Sequence, residues 1–198
     1  LKYNYRLSKN SYFVALLKPN PTMKHLFLLS AFLFSTFLIA QTPTSGEAIQ
    51  QALEQKTEMM ENSIVKNVPF ENIGPSVMSG RVVDVDVNPN MTSEFYVAYA
   101  SGGLWHTNNN GTTFIPVMDN SDTQNIGDIA VDWKNGVIWV GTGENNSSRS
   151  SYAGIGILKS TDKGETWQNM GLTDTHHIGR IHINPNNPDE VVLGAVGH

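Results

Sequence analysis

The chain has 198 residues, no cysteine and a formal net charge of −5. That average hides an asymmetry: Lys2, Arg6, Lys9, Lys18 and Lys24 precede any acid, whereas residues 41–198 carry 8 Lys/Arg against 18 Asp/Glu, a balance of −10. An acidic domain argues against nucleic acid and anionic membrane surfaces as partners, since both need basic patches, and the missing cysteines exclude disulfides and thiolate metal sites.

Residues 1–22 precede Met23 and read as sequence upstream of the true start, outside the mature protein. Met23-Lys24-His25, an apolar run over 26–39 and then Ala40-Gln41 have the form of a secretory signal peptide over 23–40. Its 14 apolar positions fall short of the roughly 20 needed to span a bilayer, so no membrane span is expected after cleavage. The product is expected to be secreted, periplasmic or held at the cell surface.

Residues 41–69 form a leader or linker. Ser45 can cap a helix that runs to about residue 64, Glu47 favours its positive end, and Ile49, Ala52, Leu53, Met60 and Ile64 recur on one side. The stripe is thin, which suits a local brace. Pro69 and Gly74-Pro75 then break the helical pattern.

From residue 70 onward the pattern is strand and turn. Residues 81–87, 95–100, 129–133, 137–141, 181–183 and 191–195 are short apolar or alternating runs separated by Asn, Pro and Gly. Gly103-Leu104-Trp105-His106-Thr107-Asn108-Asn109-Asn110-Gly111-Thr112-Thr113-Phe114 recurs in frame 53 positions later. There Ser160, Asp162, Gly164, Thr166 and Trp167 match Thr107, Asn109, Gly111, Thr113 and Phe114. Ser79-Gly80-Arg81, Ile126-Gly127-Asp128 and Ile178-Gly179-Arg180 each open a first strand, and Asn88-Pro89-Asn90 and Asn184-Pro185-Asn186 each close one. The repeating unit is strand A, an Asn/Pro turn, strand B, a loop, strand C, the Asx-Gly turn and strand D. Four antiparallel strands in about fifty residues make a propeller blade. The expected fold is all-β, a β-propeller over 70–198 with units at about 79–124, 125–176 and an incomplete 177–198. About two and a half blades are thus present, and the chain is expected to be a piece of a longer protein, because closure takes about four to eight blades.

Ser160-Thr161-Asp162-Lys163-Gly164-Glu165-Thr166-Trp167 resembles the Asp-box, or bacterial neuraminidase repeat, of pattern S-x-D-x-G-x-T-W, with Thr107 to Phe114 as a degenerate copy. The motif occurs in sialidases, xyloglucanase-type hydrolases, sortilin-type receptor domains and plant photosystem stability factors. The wider frame is similar to large secreted bacterial proteins described as sortilin-like, BNR-repeat or glycosyl-hydrolase-like. It comprises Phe70-Glu71-Asn72-Ile73-Gly74-Pro75, Ser79-Gly80-Arg81, Ser101-Gly102-Gly103-Leu104-Trp105, Gly141-Thr142-Gly143-Glu144-Asn145-Asn146 and His177-Ile178-Gly179-Arg180. The resemblance implies a fold more than an activity. The Asx-Gly turns themselves read as structural: the Asx side chain accepts backbone N–H groups, the glycine supplies an unusual φ, and Phe114 or Trp167 packs beneath.

Alternating strand direction places the A–B and Asx-Gly turns on one face and the B–C loops on the other. The B–C loop of the second unit, 143–152, is longer and more polar than its counterpart Ser101-Gly102-Gly103. Arg81, Glu144, Asn145, Asn146, Arg149, His177, Arg180 and His198 are therefore the candidate ligand-binding residues. The competing reading is that the loop satisfies its own polar groups and Arg180 pairs with Asp128 or Glu144 between blades. Neighbouring His176 and His177 would point to opposite faces of a strand, so no metal site is expected, and no cofactor is implied. Catalytic residues are not identifiable.

Three functions remain open. The preferred one is a non-catalytic scaffold or receptor-like propeller binding an extracellular protein or glycan. The second is a glycoside hydrolase, xyloglucanase- or sialidase-like, which needs two carboxylates about 5–10 Å apart. The xyloglucanase-type relatives place one carboxylate before a Gly-Gly, where this chain has Ala100 and Ser101. A sialidase would use Arg81 and Arg180 but needs a third Arg and a Tyr/Glu pair not recognisable here. The third is a structural module of a larger secreted enzyme.

Overall fold

The computed structural model describes residues 42–70, 73, 78, 80–146 and 151–197. All of these but Thr42 belong to one unit, Pro43–His198. The expected signal peptide at 23–40 lies outside the described residues, as do most of 71–79, Arg149 and His198. Strands β1 (Val82–Val87), β2 (Phe95–Tyr99), β3 (Gly103–Thr107) and β4 (Ile115–Pro116) form one antiparallel sheet in chain order. Strands β5 (Ile126–Asp132), β6 (Val137–Thr142), β7 (Ile157–Ser160) and β8 (Gln168–Asn169) form a second of the same topology. Strands β9 (Ile178–Asn184) and β10 (Asn187–Ala195) form a hairpin. The two four-stranded sheets have the form of propeller blades.

The sheets pack face to face through period-two alternation. In β6, Ile138 and Val140 join Tyr96, Ala98, Leu104, Met118, Ile126, Ile129 and Leu158 in a core between the first and second sheets. Trp139, between them in sequence, points the other way and joins Ala130, Ile157, Ile178 and Ile181 against the β9–β10 hairpin. Ile138 and Val140 are fully buried, each contributing about 1.5–3 kcal/mol of apolar burial.

The register corrects the expected alignment of the strand starts. Each first strand carries a bulge, between Val82 and Asp84, between Ile126 and Asp128, and between Ile178 and Arg180. The equivalent residues are therefore Asp84, Asp128 and Arg180, and Arg81 is three positions out of phase with the Gly-Arg and Gly-Asp pairs it resembles. Backbone bonds agree: the carbonyls of Arg81, Asn125 and His177 accept from Ala100, Gly143 and Val196 N–H groups at 2.9, 3.0 and 2.9 Å. All three first strands carry the bulge at the same place, so it marks their true phase, which a local match of Gly80-Arg81 to the later Gly-Asp and Gly-Arg pairs does not reveal.

Both Asx-Gly turns make the same five bonds. Thr107 Oγ1 donates to Asn109 Oδ1 at 3.0 Å and receives the N–H groups of Asn109 and Gly111. Asn109 Oδ1 also receives Thr113 N–H, and Asn109 Nδ2 donates to Thr113 Oγ1 at 2.8 Å. Ser160, Asp162, Gly164 and Thr166 reproduce the set, with Thr166 Oγ1 donating to Asp162 Oδ2 because a carboxylate can only accept. Gly111 and Gly164 sit at φ of +79° and +97°, a region costly for other residues. Asn110 N–H bonds Ser93 O in the adjoining A–B turn, as Lys163 N–H bonds Gly136 O, so the two turn types share one face. Trp167 does more than pack beneath its own turn: its Nε1 donates to Val117 O of the preceding sheet at 2.8 Å.

Ahead of the sheets, helix α1 (Gly46–Glu61) starts at the Ser45 cap, whose Oγ accepts Ala48 N–H. It stops three residues short of the expected end, and Ile64 is fully exposed. Only Ile49 and Leu53 of the expected stripe are half-buried, while Ala52 and Met60 are exposed. The brace works instead through polar contacts at three points. Gly46 N–H donates to Asp174 Oδ1, His176 Nε2 donates to Thr44 O at 3.1 Å, and Lys56 pairs with Asp122 at 2.8 Å. Among the described residues no helix is long and apolar enough to cross a membrane.

Donation from Thr166 Oγ1, then Thr166 N–H and Ser160 Oγ, lowers the Asp162 carboxyl to a pKa of about 2. A depressed carboxyl adds stability above its unfolded value near 4 that is lost as pH falls toward 2. Asp162→Asn can adopt the bonding of Asn109. Melting temperatures measured from pH 5 to pH 2 are expected to fall more steeply for the parent chain than for Asp162→Asn.

Candidate functional site

The B–C face is built from the ends of strands held at both edges of each sheet. One step before each inner strand stand Arg81, Asn125 and His177, equivalent by their carbonyl bonds. Asn125 was not singled out by the sequence, because nothing marks it until the bulges set the phase. Its Nδ2 donates to Ala153 O at 3.1 Å and so ties down the far side of the long B–C loop.

Glu144 opens that loop directly after Gly143, where the chain turns at φ of +83° and a Cβ would lie 1.9 Å from His176 O. This turn sends the Glu144 side chain inward. It has 0% exposure and meets Arg81 of the first sheet, whose side chain is 46% exposed. Arg81 Nε donates to Glu144 Oε1 at 2.8 Å, Nη2 donates to both carboxylate oxygens, and Asn146 Nδ2 donates to Oε1 at 3.1 Å. A buried carboxylate needs this density of donors to stay charged. The pairing joins residues 63 positions apart and fixes the loop to the neighbouring sheet.

Asn145 lies against Gly179 at the start of β9, where a Cβ would stand 2.2 Å from its Nδ2. Asn146 and Tyr152 are exposed and flank the segment that includes Arg149. His177 is half-buried, and its Nδ1 is enclosed with no hydrogen-bond partner among the described residues. Arg180 does not reach Glu144: its Nη1 donates to Asp128 Oδ1 at 3.3 Å. The structure thus brings Arg81, Glu144 and Asn146 together, sets Asn145 beside Gly179, and assigns Arg180 to the next junction. Arg149 and His198 lie outside the described residues.

Below this face the inner strands carry carboxylates. Asp128, 3% exposed at its side chain, accepts Ile181 N–H at 2.6 Å through Oδ2. Burial raises its pKa to about 6; the Ile181 N–H opposes this, the Asp84 carboxylate adds to it, Arg180 opposes it, and a hydrogen bond shared with Asp84 adds again. Burial likewise raises Asp86, against donation from Trp133 and Val131. Among the described residues no cluster of three or more His, Asp or Glu could hold a metal ion.

The chain matches no protein-family model and no curated protein. Among solved structures it is similar to the crystal structure of an ancestral GH74 enzyme. The identity is 21% and the TM-score 0.47, over 58% of this chain and 16% of that one. The chain therefore spans well under a fifth of that enzyme's length, and a likeness of this extent says nothing of its own activity.

Arg81→Ala leaves Glu144 buried without its cation. Breaking a buried pair costs about 3–5 kcal/mol, and the half-exposed arginine reduces this to about 1–3 kcal/mol. Chemical denaturation is expected to show that loss, with Arg81→Lys recovering part of it. The sign for Asp128 is the reverse of that for Asp162: with a raised folded pKa, its stabilisation is full below about pH 4 and lost as pH rises through about 6. Asp128→Asn is expected to flatten the melting temperature between pH 4 and 7, where the parent chain declines.

Proposed function

We propose that the chain is a non-catalytic β-propeller module that binds an extracellular glycan or peptide on its B–C face. The observation that carries this reading is the use of Glu144. Its carboxylate is enclosed and spent on Arg81 and Asn146, so it fixes the loop in place of acting on a substrate. Exposed Asn146 and Tyr152, beside a Glu144 that is fixed to the first sheet, suit ligand binding. Carboxamide, hydroxyl and aromatic groups match sugar hydroxyls or peptide amides. The resemblance of the Asx-Gly turns to the Asp-box, and of the frame to sortilin-like secreted proteins, supports the same reading. The apolar run at 26–39 supports export through a signal peptide ending near Ala40.

A hydrolase needs two carboxylates free to face a substrate. Asp128 has the raised pKa of an acid catalyst, but its two oxygens receive Ile181 N–H and Arg180. That engagement favours a junction role.

Glycan-array and peptide-library screening of the secreted protein tests the proposal. Asn146→Ala and Tyr152→Ala are each expected to weaken binding about five- to tenfold, with the melting temperature unchanged for Tyr152→Ala and slightly lowered for Asn146→Ala, which takes one donor from the buried Glu144. No detectable binding, combined with polysaccharide turnover that Asp128→Asn or Glu144→Gln abolishes in a folded protein, would overturn it.

A further inference from the structure

The opposite face, which carries the A–B and Asx-Gly turns, holds a groove of about 510 Å³, within the range of small-molecule sites. Three A–B turns converge on it, and they are equivalent atom for atom. Asn90 N–H bonds Asn88 Oδ1 at 3.0 Å, Lys134 N–H bonds Asp132 Oδ1 at 3.1 Å and Asn186 N–H bonds Asn184 Oδ1 at 2.9 Å. The middle position of each turn is therefore Pro89, Trp133 or Pro185, and the tip that follows is Asn90, Lys134 or Asn186.

We propose that this groove is a second carbohydrate site, which takes a short oligosaccharide independently of the B–C face. Flat apolar plates at the three middle positions suit the C–H faces of pyranose rings. Exposed polar tips, two of them carboxamides that can both donate and accept, suit vicinal hydroxyls. The formal charge of the groove cancels, since Asp132 and Lys134 are its charged lining residues, and the Asp132 carboxylate is fixed by Lys134 N–H, Asn135 N–H and Asn135 Nδ2. The indole that anchors the site is set in place beforehand. Trp133 Nε1 donates to Asp86 Oδ1 at 2.6 Å, and its ring lies 5.3 Å from that of Tyr96. Where the first and third turns use proline, the second uses a residue whose edge is held by the neighbouring sheet. A peptide added as a strand would need an open ladder of backbone groups, and hairpin tips closed by Asx bonds offer none.

The chain has four tryptophans, so four indole N–H resonances report on the full-length chain, with that of Trp133 assigned by its loss in Trp133→Phe. Neutral hexasaccharides of glucose, xylose, mannose and N-acetylglucosamine are titrated in turn. Expected is a saturable shift of the Trp133 resonance with at least one of them, weakened about tenfold by Asn90→Ala with Asn186→Ala and unchanged by Asn146→Ala on the other face. The remaining indole resonances, unmoved in the variants, confirm that they fold. The proposal is overturned by three results: no saccharide moves the Trp133 signal, the shift survives undiminished in the Asn90/Asn186 double variant, or Asn146→Ala abolishes it.

Discussion

The first strands of successive sheets face one another without a ladder between them, and the later strand of each pair brings backbone N–H groups to the junction. A buried N–H without a partner is costly, and carboxylates on the preceding strand supply the acceptors. Asp84 Oδ2 takes Ile129 N–H at 3.3 Å, and at the equivalent place Asp128 Oδ2 takes Ile181 N–H at 2.6 Å. Asp86 takes Val131 N–H at 2.9 Å as well as Trp133 Nε1. The arrangement crowds acids together: Asp84 raises both Asp86 and Asp128. The inner junction is thus held by acceptors that bind best when the strands are close and repel each other when they are.

A second set of cross-sheet bonds lies on the turn face. Trp167 Nε1 reaches Val117 O, and Tyr96 O–H reaches Lys163 O at 3.4 Å. Gly164 fits against Val117, where a Cβ would lie 2.8 Å from the valine Cβ. The Asx-Gly turn therefore has two tasks, closing its own hairpin and docking onto the sheet before it. The first needs only Ser or Thr, Asx and Gly at fixed offsets. At Trp167 the second falls to the aromatic, whose Nε1 makes the bond to Val117 O. With carboxylates at the inner strands and turns docked on this face, the sheets have little freedom to slide.

What could be read from the sequence follows from the range of each interaction. The Asx-Gly turns close within seven residues, so the Asx acceptor and the positive-φ glycine were legible. The strands were legible from alternation, and the two faces from strand direction. The phase of the inner strands was not, because Gly80-Arg81 looks like Gly127-Asp128 and Gly179-Arg180 while the bulge common to all three strands shows the true match to be Asp84. That slip of three residues hid the carboxylate junction and the row of Arg81, Asn125 and His177. Residue types alone offered Arg180 either Asp128 or Glu144; geometry gives it Asp128 and gives Glu144 to Arg81. The Trp133 groove was also missed, since an Asp-Trp-Lys-Asn turn does not look like Asn-Pro-Asn until the hydrogen bonds are compared.

Glu144, a candidate binding residue in the sequence, and Asp128, a candidate partner of Arg180, are both consumed by the scaffold. Glu144 and Asp128 are almost wholly enclosed, and each carries donors on both sides of its carboxyl group. Either could act on a substrate only by releasing a neighbouring sheet, so chemistry at these positions would be coupled to loosening of the blades. Binding needs no such release. Asn146 and Tyr152 on one face, and Asn90 and Asn186 on the other, are exposed, and the backbone N–H groups of Asn90 and Asn186 are held by Asx bonds. The proposed binding of neutral polar ligands rests on that difference: the junction acids are engaged between sheets, whereas carboxamides and a tyrosine ring stand exposed.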